Sequence, residues 1–285
     1  MADFDVIIVG SGPAGVSAAL YTARAGLNTL IISAGMGALE KAEKIENFYG
    51  LEKPITGAEL HSIGEKQAEA LGVEIIREQV VAVEYFGDFS VVTPTSSYSS
   101  KALILATGTS RKAPAIKGLS EFEGRGVSYC AVCDSFFYRK KPVAVIGEGE
   151  YALKEASELA NVTDDVTILT NGVEPTVDMS RFNVLKGKIS EIKGDETVSS
   201  VVFESGEEVC VKGVFVALGV AGSTDIARKI GAFVSDGKIT VDDMLATSVP
   251  GLFAAGDCIG GTLQIYKAVR DGAVAARSAI KFVKK

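Results

Sequence analysis

The sequence predicts an α/β protein made of two related, doubly wound, three-layer units. Three observations carry this. A short β-branched run that opens on a glycine-rich turn and then a helix occurs twice. Each copy is followed by a two-strand meander. Each meander leads to an apolar strand that ends in glycine. The length agrees, since 285 residues suit two domains of about 150 residues better than one.

The elements follow in order. Asp5 to Val9 reads as a buried parallel strand, Gly10 to Gly15 as the turn, and Val16 to Ala25 as a helix stopped at Gly26. Asn28 to Ser33 returns as the second strand. Gln79 to Tyr85 and Phe89 to Thr93 flank a turn at Gly87-Asp88, and Ala102 to Leu105 precedes Ala106-Thr107-Gly108. The second copy has a strand over Pro142 to Ile146 and a turn from Gly147 to Ala152. A helix over Leu153 to Ala160 and a strand over Val166 to Leu169 follow. Its meander is Lys188 to Lys193 and Val198 to Glu204, and Val214 to Ala217 precedes Leu218-Gly219. The connections between the units fall near Arg111 to Pro114 and Leu218 to Ser223. The C-terminal segment carries Ala254-Ala255-Gly256-Asp257 and a helix from about Leu263, and it must pack on one of the two units.

Composition limits the chemistry. The chain is 47% hydrophobic and 23% charged, as in ordinary globular proteins. Its 29 Lys and Arg against 36 Asp and Glu give a net charge of −7, the wrong sign for a general nucleic-acid binder. The N-terminus lacks a basic segment ahead of its first apolar run, and no run approaches the ~20 residues that cross a bilayer, so the cytoplasm is the expected compartment. One His excludes a multi-histidine metal centre and makes His61 the sole imidazole. Flanked by Glu59 and Glu65 on a polar helix, His61 reads as a surface residue.

Both glycine turns stand between a strand and a helix, the context that dinucleotide binding needs. Gly10 permits the tight turn, Gly12 lets a pyrophosphate approach, and Gly15 lets the helix pack on the strand. The second turn differs. Glu148 and Glu150 flank its middle glycine, and Tyr151 adds bulk. A carboxylate beside a pyrophosphate is repulsive by roughly 1–4 kcal/mol per pair at ~4 Å. Thr170-Asn171-Gly172 stands where an acid or arginine would read a ribose, and no basic residue lies between Lys154 and Arg181. The second unit therefore reads as a dinucleotide fold that has kept its shape without the ligand.

Cys130-Ala131-Val132-Cys133-Asp134 is a single CxxC. Zinc would need about two further ligands, and only the distant Cys210, Cys258 and His61 remain. A redox dithiol needs two sulfurs within bridging reach and a proton donor, which Asp134 supplies. Structural roles are the remaining alternative. Cys210, at a strand end, reads as a buried free thiol. Cys258 reads as a core residue that could border a cofactor.

These stretches together carry a resemblance. The chain resembles the low-molecular-weight thioredoxin reductases over nearly its whole length. The matching stretches are Gly10 to Gly15, Ile45-Glu46-Asn47-Phe48-Tyr49-Gly50, Ile104 to Gly108, Gly124 to Asp134, Thr247 to Asp257 and Asp271 to Ala276. The resemblance implies a discontinuous FAD domain (1–112 and 219–285) around a pyridine-nucleotide-type domain (115–216) that carries the CxxC. It implies that Gly10, Ser11, Gly12, Pro13, Ala14 and Gly15 hold the FAD pyrophosphate and that Asn47 lies near the flavin. Asp257, after Gly256, would bind the ribityl or phosphate region, Gln264 would lie by the flavin ring, and Thr107 and Gly108 would complete the cofactor set. Cys133 would be the flavin-side thiol, Cys130 the thiol that exchanges with thioredoxin, and Asp134 the acid–base residue. A homodimer is the implied assembly.

The departures point to a branch. Thr170-Asn171-Gly172 replaces the usual His-Arg-Arg, Glu148 and Tyr151 replace small residues, and Leu263 replaces the Arg before Gln264. Together these resemble the ferredoxin-dependent flavin thioredoxin reductases, in which ferredoxin, not a pyridine nucleotide, supplies the electrons. An NADPH- or NADH-dependent reductase with a divergent nucleotide site, and a redox-sensing FAD protein without turnover, are the rival readings.

Overall fold

The computed structural model describes residues 3–108, 114–218 and 222–285. The expected connections near 111–114 and 218–223 lie largely outside them. By its contacts the chain divides into two compact units, Met1–Arg111 with Gly222–Lys285, and Lys112–Ala221.

The first unit opens with β1 (Phe4–Val9), α1 (Pro13–Arg24) and β2 (Thr29–Ile32). Gly26, at φ +78°, ends the helix in the left-handed conformation that glycine adopts without strain. Next come α2 (Gly57–Ala70) and β3 (Glu74–Ile76). A capping box starts α2: Thr56 accepts from the Glu59 amide, and the Glu59 carboxylate accepts from Thr56 N. A meander of β4 (Ala82–Tyr85), β5 (Phe89–Val92) and β6 (Ser97–Leu105) completes this segment. The sheet order is β3-β2-β1-β6-β5-β4, with β1 parallel to both β2 and β6. β6 begins five residues before the expected Ala102, because Ser97–Ser100 pairs antiparallel with β5. Nothing apolar in Ser97-Tyr98-Ser99-Ser100 announces a strand; cross-strand hydrogen bonds impose it.

The second unit contains β7 (Val127–Ser128), the single-turn α3 (Ala131–Asp134), β8 (Val143–Ile146), α4 (Glu150–Leu159) and β9 (Val166–Leu169). It continues with β10 (Asn183–Leu185), β11 (Ile189–Gly194), β12 (Val198–Phe203), β13 (Glu208–Cys210) and β14 (Gly213–Val216). A parallel sheet of order β10-β9-β8-β14-β7 packs with the antiparallel sheet β11-β12-β13 around Phe122, Ile146, Val201 and Phe203. α4 starts at Glu150, three residues earlier than expected, because the glycine turn leads straight into it from Gly149. Cys210 corrects its expectation. It is exposed, since β13 is an edge strand and its terminal residue turns outward.

The chain then returns to the first unit through α5 (Ser223–Lys229), β15 (Val234–Ser235), β16 (Lys238–Ile239), β17 (Leu252–Ala254) and α6 (Ile265–Val283). β17 adds to β6 in parallel, and α6 lies along α1. Ser17 Oγ donates to Val269 O at 2.7 Å across that contact. A Cβ on Gly272 would run into the Ala14 carbonyl, so glycine is required where the helices touch. Ile7, Ile8, Leu103 and Ile104 are fully buried in the central strands, each contributing about 1.5–3 kcal/mol. No helix among the described residues is long and apolar enough to cross a membrane.

Candidate functional site

In the first unit, β1, β6 and β17 end at one level, with Val9 opposite Leu105 and Leu105 opposite Ala254. The segments beyond these ends bring together Gly10 to Gly15, Thr107-Gly108 and Gly256-Asp257. Their arrangement fits a pyrophosphate. Gly10 has φ +108°, and a Cβ on Gly15 would run into the Gly10 carbonyl. A Cβ on Gly12 would meet nothing within 4 Å, so that side of the turn is open. Pro13 stands in the first turn of α1, which has no acidic residue and no side-chain cap. Its leading amides and positive helix end are left to an anion. Thr107 Oγ1 hydrogen-bonds Ser223 Oγ and accepts from Ser223 N at 3.1 Å, fixing the end of β6 to α5. Asn47 and Gln264 are exposed, Gln264 as the N-cap of α6.

Two lysines secure the Gly256–Asp257 segment. Lys267 Nζ donates to Gly256 O at 2.8 Å and Gly260 O at 2.6 Å, and pairs with Asp271 at 2.8 Å. Asp271 is 1% exposed and also accepts from Gly256 N. Lys238 Nζ donates to Asp257 O at 3.2 Å. Cys258 lies in the core, where burial pushes its thiol up to about 11 and keeps it unreactive.

His61 corrects its expectation. It is 5% exposed, because the face of α2 that carries His61, Glu65 and Ala68 turns inward against the glycine turn. Its Nε2 lies 2.9 Å from Ser11 Oγ and 3.3 Å from Glu65 Oε1, and Ser11 Oγ donates to Ser33 Oγ at 2.9 Å. Arg77 grips both oxygens of Glu65 at 2.9 and 2.6 Å. The spacing i, i+4, i+7 was available as a signal, but two charged neighbours masked it. Burial, with Arg77 adding to it, holds the His61 imidazole below its ordinary 6.5 although Glu65 opposes this. Burial pushes Glu65 up, but its bonds from Arg77 and the nearby His61 more than offset that and leave it low. The unfolded chain therefore binds a proton at His61 more readily than the folded one. Stability is full above pH 6.5 and declines as pH falls towards the depressed folded value. Thermal melts from pH 8 to pH 5 should show that decline in the wild type and a flatter profile in His61→Gln; parallel profiles would refute it.

The second unit carries the dithiol. Cys130 and Cys133 form a disulfide within one turn. Cys130 is 4% exposed and Cys133 is exposed. Cys130 Sγ accepts from Cys133 N at 3.1 Å. Asp134 Oδ2 accepts from Ser128 Oγ at 2.6 Å, and Ser128 Oγ accepts in turn from Cys130 N at 3.0 Å. Ser128 thus ties the acid to the backbone of the first cysteine. Its role escapes a reading of sequence because serine at the end of a strand has no distinctive pattern. Val132, Phe136 and Phe137 stand exposed around the turn.

The second glycine turn contrasts with the first. Gly147 is required, since a Cβ there would run into the Ala217 carbonyl. The Glu148 carbonyl is engaged by Thr176 through its amide at 2.8 Å and its hydroxyl at 3.1 Å. Glu150 fills the first turn of α4 with a carboxylate. Tyr151 is buried and reaches back to Tyr129 O at 3.4 Å. Arg181, the first cation beyond Lys154, stacks on Phe182 and lines a cavity of about 350 Å³ with Thr163, Asp164 and Val166. Those residues lie at the start of β9, the opposite sheet edge from the glycine turn. Among the described residues no three His, Cys, Asp or Glu gather in metal-binding geometry.

A family model of pyridine nucleotide-disulphide oxidoreductases matches residues 4–272. The chain belongs to this family. It is 36% identical to a thioredoxin reductase from Aquifex aeolicus, over 98% of this chain and 93% of that one. The solved structure of an atypical thioredoxin reductase from Desulfovibrio vulgaris Hildenborough superposes with TM-score 0.93 at 38% identity, covering 98% of each chain. A ferredoxin-flavin thioredoxin reductase from Clostridium acetobutylicum superposes with TM-score 0.72 at 33% identity, covering 98% of this chain and 97% of that one. The protein is a thioredoxin reductase and an FAD flavoprotein, with two dinucleotide-binding-type folds.

Proposed function

We propose that this enzyme reduces thioredoxin through Cys130 and Cys133 with electrons that reach FAD from reduced ferredoxin, and that it works as a homodimer. The unit formed by 1–112 and 219–285 holds FAD at Gly10 to Gly15, Asn47, Thr107, Gly108, Gly256, Asp257 and Gln264. FAD, when bound, accepts electrons singly and delivers them in pairs.

The observation that carries the choice of donor is the second glycine turn. Glu148 and Glu150 flank its middle glycine, and a carboxylate beside a pyrophosphate opposes it by about 4 kcal/mol at ~4 Å and an effective dielectric of 20. The helix end that attracts an anion in the first unit is thus countered in the second. Arg181, at the other sheet edge, is not placed to hold a 2′-phosphate.

Two electrons and two protons convert the Cys130–Cys133 disulfide to a dithiol. The exposed Cys133 is the flavin-side sulfur. Opening the disulfide frees Cys130, which must be uncovered to reach thioredoxin. The Cys130 thiolate, its proton taken by Asp134, attacks the thioredoxin disulfide, forming a mixed disulfide and releasing one thioredoxin thiolate. Cys133 then attacks Cys130 Sγ, restoring the enzyme disulfide and releasing the second thioredoxin sulfur. The two released thiolates take up two protons. Ser128 holds Asp134 beside the turn for this transfer. The exposed Val132, Phe136 and Phe137 offer the partner an apolar face.

Anaerobic titration tests the donor. Reduced ferredoxin should bleach the flavin, while NADPH and NADH at micromolar concentration should leave it oxidised. Bleaching by NADPH at that concentration would overturn the ferredoxin assignment and leave thioredoxin reduction standing.

A further inference from the structure

A buried hydrogen-bond chain ends on the hydroxyl of Ser11, inside the first glycine turn. Ser33, just past β2, commits its own proton to Gly35 O at 3.0 Å and accepts from Ser11 Oγ at 2.9 Å. With its proton so committed, Ser11 Oγ meets His61 Nε2, 2.9 Å away, as an acceptor. The other neighbour of Nε2 is also an acceptor. It is Glu65 Oε1 at 3.3 Å, whose carboxyl Arg77 and His61 hold low against its burial. Burial keeps the ring neutral at pH 7, so it carries one proton. On Nδ1 that proton would leave a nitrogen lone pair facing two acceptors. It belongs on Nε2, where it serves both. α2 comes close enough for this because Gly64, one turn on from His61, admits Val16 of α1; a Cβ there would meet Val16 Cγ1 at 3.1 Å.

We propose that His61 is a positioning residue for the cofactor: its Nε2–H, aimed by Glu65 and Arg77, holds Ser11 inward and keeps the Gly10 to Gly15 turn in the shape that takes a pyrophosphate. Ser11 stands between Gly10 and Gly12, residues whose backbones are freest to change conformation. Bracing the residue between them fixes the turn before the ligand arrives, so less freedom is lost on binding. The support runs outward in order. Arg77, just past β3, grips both oxygens of Glu65, Glu65 orients His61, and His61 holds Ser11. The chain thus joins α2 and the ends of β2 and β3 to the cofactor turn. The second unit has no such brace. Glu148 takes the place of Ser11 there, and its buried Oε2 has no hydrogen-bond partner among the described residues.

The proposal rests on the Gly10 to Gly15 turn holding FAD, but its test needs neither ferredoxin nor thioredoxin. His61 is the only histidine, so nitrogen NMR of the full chain carrying 15N-labelled histidine reads one imidazole. At pH 8 the wild type, with and without FAD, should show the Nε2–H tautomer; the Nδ1–H tautomer would overturn the proposal. FAD binding to full-length apoproteins is then followed by flavin fluorescence. His61→Leu should weaken it about tenfold, the scale of one lost hydrogen bond. His61→Gln, whose amide can donate to the same hydroxyl, should recover most of that loss. Ser11→Ala should weaken binding by a similar factor, and the Ser11→Ala, His61→Leu double variant no further, since both changes break the same bond. Losses that multiply in the double variant would overturn the proposal. Should His61→Leu not fold, unaltered FAD affinity in Ser11→Ala would do so. FAD affinity lost in Gly12→Ala but kept in His61→Leu would overturn the role of His61 and leave the cofactor site standing. Affinity kept in Gly12→Ala would remove the site, and this role with it.

Discussion

Replacing both Cys130 and Cys133 with serine should leave FAD bound and make thioredoxin reduction undetectable. The two residues share one short turn remote from the glycine turn in sequence, and they belong to a different unit from Gly10 to Gly15. Neither cysteine belongs to the Gly10 to Gly15 turn, so the FAD content should match the wild type. The single variants divide the roles. With Cys133 changed to serine, Cys130 has no resolving partner, and a mixed disulfide with thioredoxin should accumulate at Cys130. With Cys130 changed to serine, no such adduct should form. Mass spectrometry of the trapped complex decides the matter. An adduct at Cys133 instead would reverse the roles. Thioredoxin turnover by the double variant would remove the dithiol from the mechanism altogether.

A methyl group on Gly15 should cost both stability and cofactor, whereas one on Gly12 should cost cofactor alone. The Gly15 Cβ would run into the Gly10 carbonyl, with Ile8 close behind. The strand cannot yield, since β1 is paired on both sides and fully buried at Ile7 and Ile8. α1 must therefore lift, at a cost of about 1–3 kcal/mol, and the same movement displaces the amides that face the pyrophosphate. If that strain falls on binding, FAD affinity drops by roughly fivefold to a hundredfold. At Gly12 the added methyl meets no protein atom within 4 Å and can only meet the bound cofactor. FAD release followed by fluorescence, alongside melting of the apoproteins, separates the two. Gly12→Ala apoprotein should melt with the wild type, and Gly15→Ala apoprotein should melt lower. Normal FAD retention in Gly12→Ala would show that the pyrophosphate lies elsewhere.

Much of this was legible in the chain because the decisive features are local. A glycine with φ above +100° or a Cβ-free contact must be glycine wherever the chain goes, so Gly10 and Gly15 identify themselves. A CxxC followed by aspartate keeps two sulfurs and an acid within five residues of chain, so a single turn brings them together. The repeat of strand, glycine turn and helix follows from the same short-range rules. What lay hidden was long-range. His61 seemed a solvated residue among glutamates until Ser11 and Arg77, distant in sequence, proved to be its surroundings. Cys210 seemed a core thiol until the edge position of its strand turned it outward.

The sequence alone determined two α/β units, their glycine turns, the redox pair with Asp134, and the acidic character of the second turn. The physical reason is that backbone sterics, strand and helix periodicity and fixed charge are carried by neighbours in the chain. Only the tertiary structure decided which segment completes the first sheet, that Ser128 and Glu155 grip the redox turn, and that Arg181 sits at the wrong sheet edge to serve the second turn. Those outcomes depend on hydrogen bonds and burial between residues far apart in sequence, whose partners exist only once the sheets have formed.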